Sequence, residues 1–416
     1  MSDLKLPLAA VLFGFPRPMQ RAQPLPLSFA WRLLLGGLLL FAHRPACAQF
    51  RQAPVEARVP WAPQPVAGSD GQVHAAYELH VTNFYPATGP LRLQQLTVLA
   101  DGTARVLTRF TGAQLTRLLA RPADAADTLG VPLAAGQRAV LFLWLAFPAG
   151  RPLPAALRHQ LTFAAAGGAR PRVDGVRTPL NAAPPVVLGA PLRAGPWLVH
   201  EGPGNPRSHH WGSVVAVNGR VTVPQRYAID FFGLTPAGHA ARVARDRLGA
   251  SAAADWVGFG ADVLAVADGV VRDARDGEPD RAPLAPLPEV TELTVRALLG
   301  NFVVLEIAPG IFVHYAHLQA GSLAVKAGDR VRRGAALGRL GQSGNANAPH
   351  LHLQVSTAAT FAESEGLPLV FQAFDHLGTL HIGEALDPAV PVSFGTGRRG
   401  PCQKQLPLDS DVVVFK

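Results

Sequence analysis

The feature that most constrains the fold is a glycine-rich turn that runs into two histidines separated by one leucine, within residues 341–355. On an extended strand, side chains two residues apart point to the same face. We therefore expect His350 and His352 to stand side by side above one face of a sheet. In that arrangement one imidazole could bind a metal while its neighbour handles protons. The spacing alone is weak evidence, because two histidines on a solvated strand face need have no function.

The segments before this motif are also typical of strands. Residues 300–318 predict a β-hairpin that turns at Pro309-Gly310, and its second strand carries His314 and His317. From about residue 258 to residue 355, short runs of Val, Leu and Ile are punctuated by glycine. This pattern predicts a series of short strands that brings several histidines close together.

An ordered set of motifs in the C-terminal half resembles the lysostaphin-type zinc metallopeptidases, which cut peptide cross-bridges of bacterial peptidoglycan. The matching segments are residues 226–231, 263–271, the hairpin of 300–318, the Gly-Asp-x-Val-x-x-Gly turn of 328–334, and Gly-x-Ser-Gly leading to His-Leu-His. Several motifs in the right order occur by chance far less often than any single one. The resemblance implies a zinc-dependent hydrolase domain.

The resemblance also implies roles for individual residues. A catalytic zinc usually has three protein ligands and keeps a fourth position for water. Asp230 and His352 would be ligands, and His350 would be the general base that deprotonates the water. His317 would be the second catalytic imidazole and would hydrogen-bond the oxyanion or the attacking water. His314 should face away from His317 on a regular strand, so we leave it out of the site.

One ligand of the family pattern is missing. The family supplies a histidine four residues before the aspartate, and this chain has Arg226 there, whose guanidinium offers no lone pair. The Asn-Gly pair at 218–219 predicts a hairpin that folds the preceding histidines back toward Asp230. We predict His210 as the missing ligand and His209 as the alternate, because adjacent residues of an extended segment face opposite ways. Otherwise both are exposed loop histidines.

The N-terminus indicates export. Residues 31–48 combine a basic flank, a short apolar core and the small-x-small sequence Ala46-Cys47-Ala48, so we predict a signal peptide over residues 1–48, with an uncleaved anchor as the alternative. Residues 1–48 carry five Lys or Arg and one Asp, so their removal lowers the formal net charge from +9 to +5. Only Cys402 then remains, which excludes an intrachain disulfide. We expect a periplasmic or extracellular location in the cell envelope, no nucleic-acid partner and no stable membrane span.

The rest of the chain predicts a mostly β protein in two parts. Apolar runs separated by Gly, Pro, Asp and Asn predict an N-terminal β-sandwich-like domain, followed by a C-terminal antiparallel β-sheet of the barrel-sandwich hybrid type. His74, His80 and His159 lack metal spacing and are expected at the surface of the first part. The predicted divisions are an accessory domain at 49–177, a Pro- and Ala-rich linker at 178–186, a peptidase domain at 187–400 and a tail at 401–416.

We predict an exported zinc metalloendopeptidase that hydrolyses amide bonds in peptidoglycan peptides through a zinc-activated water. The alternative is a zinc-free, non-catalytic domain that binds peptidoglycan or activates another cell-wall hydrolase. Arg226 supports that alternative, whereas the retention of Asp230 and three histidines argues against it. A biotinyl-like or sugar-binding barrel would need a modifiable lysine in a turn, and Lys326 precedes its turn instead. The sequence contains no His-Glu-x-x-His, Gly-x-Ser-x-Gly or phosphate-loop motif.

Overall fold

The computed structural model describes residues 53–119, 128–193, 195–288, 294–395 and 398–416. All of them belong to one compact unit, Phe50–Lys416. The predicted signal peptide, residues 1–48, lies outside the described residues. Within the described ranges, no helix combines the length and the apolar character that crossing a membrane would require.

The described chain up to residue 179 folds into two antiparallel sheets. One sheet has the order β1-β3-β2 with β7 paired to β3, and the other has the order β5-β4-β8-β9 with β6 paired to β4. The inward side chains of both sheets fill one core, as Tyr77 and Leu79 of one sheet and Leu96 and Leu161 of the other show. The strands are β1 Val55–Arg58, β2 Val66–Ala67, β3 Val73–Asn83, β4 Leu91–Ala100, β5 Val106–Thr111, β6 Val131–Leu133, β7 Arg138–Phe147, β8 Ala156–Ala164 and β9 Arg172–Pro179.

The remaining strands build a larger sheet and two small ones. The larger sheet runs as an open path in the order β10-β22-β24-β11-β14-β21-β18-β17-β16-β19, with β23 paired to β22. The pair β10–β22 is parallel and the other pairs are antiparallel. The small sheets are β12–β13 and β15–β20. The strands are β10 Val186–Leu188, β11 Trp197–His200, β12 Val215–Val217, β13 Arg220–Thr222, β14 Ile229–Gly233, β15 Asp262–Leu264, β16 Gly269–Arg275, β17 Asn301–Ala308, β18 Ile311–Leu318, β19 Arg330–Val331, β20 Ala336–Arg339, β21 Leu351–Ser356, β22 Leu369–Thr379, β23 Gly400–Gln405 and β24 Asp411–Phe415.

The described helices are short and lie between strands. They are α1 Ala113–Thr116, α2 Val295–Leu299 and α3 Ile382–Ala385, with single 3₁₀ turns at Pro86–Thr88, Ala166–Gly168, Arg245–Ala250 and Ala253–Asp255. The prediction of a mostly β protein with an N-terminal sandwich and a C-terminal antiparallel sheet is confirmed. Residues 401–416, predicted as a tail, lie largely in β23 and β24 of the large sheet. The domain boundaries themselves stay a prediction.

Two predicted hairpins are present. Strands β17 and β18 pair over residues 301–318, and β12 pairs with β13 around the Asn-Gly turn. Asn218 and Gly219 have φ of 48° and 73°, as the two central residues of a type I′ turn require. This turn places the segment with His209 and His210 beside the large sheet.

The prediction of three surface histidines in the first part is wrong. His74, His80 and His159 are all buried. Strand β3 is covered on both faces, because one face lies in the sandwich core while Ala76 on the other packs in the same cluster as Tyr227 of the second part. A single sequence cannot show that a strand face is covered by a distant part of the same chain.

Candidate metal centre

Asp230 lies at the centre of the large sheet. It belongs to β14, whose five residues are all buried. On one side it pairs with His200 of β11 and on the other with His352 of β21. His352 in turn pairs with Ala316 of β18, next to His317. The sheet register therefore brings a buried carboxylate together with histidines from separate parts of the chain.

Four imidazoles surround this carboxylate. His352 Nδ1 lies 3.0 Å from Asp230 Oδ1, and His210 Nε2 lies 3.5 Å from the same oxygen. His350 Nε2 lies 3.5 Å from Asp230 Oδ2. The ring centroid of His317 is 4.8 Å from that of His350 and 5.9 Å from that of His352. We call Asp230 with these four residues the histidine cluster.

Main-chain carbonyls fix the orientation of three of these rings. Because each carbonyl accepts a hydrogen bond from an Nδ1–H, the neutral imidazole keeps its proton on Nδ1 and its lone pair on Nε2. This is the tautomer that a metal ligand or a general base using Nε2 requires. The bonds run from His210 Nδ1 to Glu201 O (2.8 Å), from His317 Nδ1 to Ser343 O (2.9 Å) and from His350 Nδ1 to Ala348 O (2.8 Å).

The electrostatics of the cluster favour neutral imidazoles around a charged carboxylate. Burial disfavours the protonated ring and lowers the pKa of His210 and His317 well below the usual value, and it lowers the pKa of His350. Burial would raise the pKa of Asp230, but the facing imidazoles of His210, His350 and His352 hold that pKa well below its usual range. Lone pairs on nitrogen and one negative charge thus face a common space.

The residues present fit a zinc ion. Within the described part of the chain, His210 Nε2 is buried and has no hydrogen-bond partner, although it lies 3.5 Å from Asp230 Oδ1. His352 Nε2 lies 2.9 Å from Gln354 Oε1, so this nitrogen carries the proton and the Nδ1 lone pair faces Asp230 Oδ1. Two acceptors at such a distance need a proton or a cation between them. Imidazole nitrogen and carboxylate oxygen are the donors that zinc prefers when thiolates are lacking.

The structure brings both candidates for the missing ligand to the cluster. His209, His210 and Asp230 each offer one ligand atom, and these three atoms lie within 4.8 Å of one another. The ring centroids of the two histidines are 4.1 Å apart. The segment is a turn and not an extended strand, so the two rings do not face opposite ways. They differ in burial, because the His209 side chain is 66% exposed and pairs with Glu201 at 3.2 Å, whereas His210 is buried. The ligand roles of His210, Asp230 and His352 stay predictions.

The two histidines of β18 differ as their spacing suggests. His317 has φ of 61°, an unusual conformation for a residue other than glycine, and it lines the cleft beside the cluster. Such strain is found at functional sites, where the surrounding structure maintains it. His314 instead places its Nε2 2.7 Å from Ser356 Oγ, in a buried position. The catalytic roles of His317 and His350 stay predictions.

Arg226 has a separate set of partners. Its Nε and Nη2 donate to the two carboxylate oxygens of Glu78 at 2.9 and 2.8 Å, and Nη2 also donates to Glu365 at 2.7 Å. Its Nη1 donates to the carbonyl of Gly366 at 3.0 Å. We call Arg226, Glu78 and Glu365 the Arg226 cluster. The residue that replaces the family's histidine therefore joins the N-terminal sandwich to the second part of the chain.

The histidine cluster opens onto a cleft of about 690 Å³. Apolar side chains of Val215, Leu298, Leu299 and Phe361 line one side of it, and we call these four residues the apolar wall. Asn345 also lines the cleft. A concave site that combines apolar side chains with convergent polar groups is typical of a binding site for a ligand or substrate.

Sequence reasoning missed the residues that hold the histidines. Glu201 has no metal-ligand spacing in the sequence, yet its carbonyl accepts from His210 and its carboxylate accepts from the His209 main-chain N–H at 2.6 Å. Gln354 could have been found, because it lies two residues after His352 on the same strand face. The carbonyls of Ser343 and Ala348 belong to the main chain, so no residue type signals them.

Comparison with known proteins gives the class of the domain. Residues 252–363 match the profile of Peptidase family M23, and this stretch contains His317, His350 and His352. The resemblance to lysostaphin-type peptidases is thereby confirmed, and it extends over the residues that match the M23 family. No curated protein matches the chain.

Three solved structures illustrate the similarity. The catalytic domain of lysostaphin from Staphylococcus simulans has 20% identity and a TM-score of 0.22, and the match covers 42% of this chain and 88% of that one. A putative peptidase M23 from Pseudomonas aeruginosa has 14% identity and a TM-score of 0.24 over 72% of this chain and 90% of that one. A zinc-containing peptidase from Vibrio cholerae has 18% identity and a TM-score of 0.20 over 70% and 81%.

Proposed function

We propose that this chain is an exported zinc metalloendopeptidase that hydrolyses amide bonds in the peptides of peptidoglycan. The observation that carries the proposal is the buried, unpartnered Nε2 of His210, which faces Asp230 beside His352. A purely structural cluster would be expected to satisfy this nitrogen. The M23 family match supports the reaction class, and the signal-like features of residues 31–48 support export.

His210, Asp230 and His352 would hold the metal. A bound zinc ion supplies Lewis-acid chemistry, since it lowers the pKa of a water and polarises a carbonyl oxygen. Asp230 contributes the one negative charge among these ligands. Glu201 orients His210 by accepting its Nδ1–H, so the Nε2 lone pair is directed into the cluster.

His350 would be the general base. Its Nδ1–H donates to Ala348 O, so a proton taken from water goes to Nε2. The ring stacks on Phe232, with centroids 5.1 Å apart and planes 18° apart, which restricts its rotation. Because burial lowers the pKa of His350, the ring is neutral and ready to accept a proton near pH 7.

His317 would assist from the other side of the cleft. Its Nδ1–H donates to Ser343 O, so in the neutral ring Nε2 is an acceptor for a water proton. The proton released by the water goes to His350, so the neutral His317 ring has no proton on Nε2 to donate to an oxyanion. This tautomer assigns His317 to orienting the attacking water.

The test combines metal content with hydrolysis. We expect the purified chain to hold about one zinc ion, measured by mass spectrometry of the metal, and to release peptides from purified peptidoglycan. His210→Ala and His352→Ala should lose both properties. His350→Ala should keep zinc and lose hydrolysis by a factor of about 10² to 10⁴.

The control is His381→Ala, which removes an exposed histidine at the start of α3 and should keep zinc and activity. If His209→Ala loses zinc while His210→Ala keeps it, the alternate ligand is the correct one. If the native chain holds no zinc, the peptidase proposal fails. The non-catalytic regulator, which the replacement of the family's histidine by Arg226 favours, then becomes the better assignment.

A further inference from the structure

The apolar wall begins directly beside the histidine cluster. Its residues pack with Ala316 in one apolar cluster. Ala316 precedes His317 in the chain and pairs across the sheet with His352. A strand advances about 3.3 Å per residue, so a substrate residue next to the scissile amide lies within reach of the wall.

The wall is held in place before any substrate binds. The carbonyl of Leu298 accepts from the Asn345 N–H at 3.0 Å, which ties α2 to the turn before the His-Leu-His motif. The carbonyl of Phe361 accepts from Ser364 Oγ at 2.9 Å. A preformed apolar surface binds an apolar group without the entropy cost of ordering it.

Two polar atoms of the cleft have no partner among the described residues. They are Ser213 Oγ and Asn345 Oδ1, which are buried without a hydrogen bond, and both residues line the cleft. Buried polar atoms are nearly always paired, so these two are placed to bind a ligand. A peptide main chain offers the matching groups, an N–H donor for Asn345 Oδ1 and a carbonyl acceptor for Ser213 O–H.

The charges of the cleft exclude most ionised substrate side chains. Neither Lys nor Arg occurs among its described lining residues. Its carboxylates are Glu201, which pairs with His209 at 3.2 Å, and Asp230, which is a proposed zinc ligand. A charged side chain against the apolar wall would lose its hydration without gaining an opposite charge.

We propose that the cleft selects peptides with an uncharged aliphatic side chain on the residue beside the scissile amide, and that the apolar wall is the subsite for it. Leu298 and Phe361 are its specificity-determining residues. The inference rests on the proposed peptidase function for the position of the amide. Peptide binding itself does not require turnover.

The test is a binding measurement on the full chain carrying His350→Gln and supplied with zinc, so that cleavage does not interfere. The probes are fluorescent, end-blocked pentapeptides Gly-Gly-Xaa-Gly-Gly in which Xaa is Leu, Ala, Gly, Lys or Glu. We expect the Leu peptide to bind about tenfold more tightly than the Gly peptide, and the Lys and Glu peptides to bind no better than Gly. Equal affinities, tighter binding of a charged peptide, or no binding of the Leu peptide would overturn the inference.

Variants locate the subsite. Leu298→Ala and Phe361→Ala should reduce the Leu-over-Gly preference to about twofold or less, and Phe361→Leu should restore part of it. Leu298 is half-buried, so its replacement provides the test if Phe361→Ala does not fold. The control Leu153→Ala removes an exposed leucine of the N-terminal part and should keep the preference. A Leu298→Ala chain that keeps the full preference contradicts the assignment.

The experiments distinguish a failure of the subsite assignment from a failure of the proposed peptidase function. A chain that prefers the Leu peptide but holds no zinc keeps the subsite and loses the peptidase. A chain that holds zinc and cleaves peptidoglycan without preferring the Leu peptide keeps the peptidase and loses the subsite.

Discussion

The Arg226 cluster and the histidine cluster are both buried and charged, but they differ in how fully their polar atoms are hydrogen-bonded. Arg226 is held by two carboxylates and a carbonyl at 2.7 to 3.0 Å, a forked geometry that uses all three of its nitrogens. Burial alone would lower the pKa of Arg226, but Glu78 and Glu365 raise it above its usual value. In the histidine cluster a buried nitrogen of His210 remains without a partner.

The difference separates a structural cluster from a candidate ligand site. A buried ion pair with complete hydrogen bonding stabilises a packing arrangement and has no capacity for a further ion. A set of lone pairs around one carboxylate is complete only when a cation or a proton is added. Arg226 and Asp230 are four positions apart in the chain, yet their charges are buried in opposite ways: one with its partners complete, the other with room for a cation.

The largest expected effect comes from breaking the Arg226 cluster. Glu78→Gln should lower the free energy of unfolding by about 4 kcal/mol, because it replaces the forked, charge-assisted pair with a neutral amide and leaves the buried guanidinium with Glu365 as its carboxylate partner. Urea unfolding monitored by fluorescence measures the loss. The matched control Glu56→Gln removes an exposed partner of Arg138, 3.5 Å away, and should change the value by about 0.5 kcal/mol or less. Equal losses in the two variants would refute the structural role.

A buried histidine outside both clusters should make stability depend on pH. His159 accepts from the Tyr77 hydroxyl at 2.8 Å and donates to Val176 O, and burial lowers its pKa to about 4. The unfolded chain takes up this proton first, near pH 6.5, so the stabilisation is complete above that pH and is lost as the pH falls toward 4. The loss amounts to about 3 kcal/mol at most.

Urea unfolding of the wild type and of His159→Gln between pH 7.5 and 4.5 isolates the contribution of His159 to the free energy of unfolding. The difference between the two proteins should shrink as the pH falls. Parallel curves would show that His159 does not titrate as inferred. The comparison matters because His159, unlike His210, has partners on both ring nitrogens and needs no metal.

Metal removal should destabilise only a chain with an intact histidine cluster. At a free zinc concentration one hundred times the Kd, binding adds about 2.7 kcal/mol to the free energy of unfolding, and EDTA should remove it. His210→Ala should show no response to EDTA, whereas Glu78→Gln should respond like the wild type. Thermal unfolding with and without EDTA measures this. An equal EDTA response in His210→Ala would place the metal elsewhere.

The smallest expected effect concerns the turn that holds His210. Ser208 Oγ donates to Glu201 O at 2.7 Å and accepts from the His210 N–H at 3.1 Å. Ser208→Ala should cost about 1 kcal/mol of stability and weaken zinc binding about tenfold. Ser251 is buried to a similar degree and makes two comparable bonds. Ser251→Ala should cost the same stability at unchanged zinc affinity, and equal zinc affinities in both variants would contradict the positioning role.

The fold class was accessible from the sequence because its signals are local. Short apolar runs punctuated by glycine predicted the strands, and the Asn-Gly pair at 218–219 predicted the turn between β12 and β13. The order of the motifs resembled that of the lysostaphin-type peptidases, and this resemblance is confirmed. Spacing along a strand predicted which side chains share a face. These features depend on backbone sterics and alternation, which a single chain displays directly.

The site depended on contacts between distant segments. The sequence proposed His210 on the assumption of an extended segment, whereas the structure shows a turn in which Glu201 holds both histidines. The sequence identified Arg226 as a departure, but its pairing with Glu78 joins residues 148 positions apart. Sequence reasoning also placed His74, His80 and His159 at the surface. It could not show that a second part of the chain covers His74 and His80 on β3, or that His159 on β8 bonds Tyr77 inside the sandwich.

The amino-acid sequence by itself determined a β-rich chain with a His-Leu-His strand, an aspartate in a buried strand and a missing first ligand, because residue type and spacing set these properties locally. Only the tertiary structure decided which imidazole faces Asp230, which carbonyls fix the ring tautomers and where the arginine charge is neutralised. The physical reason is that burial and hydrogen-bond completion are properties of the packed chain, to which residues far apart in sequence contribute together.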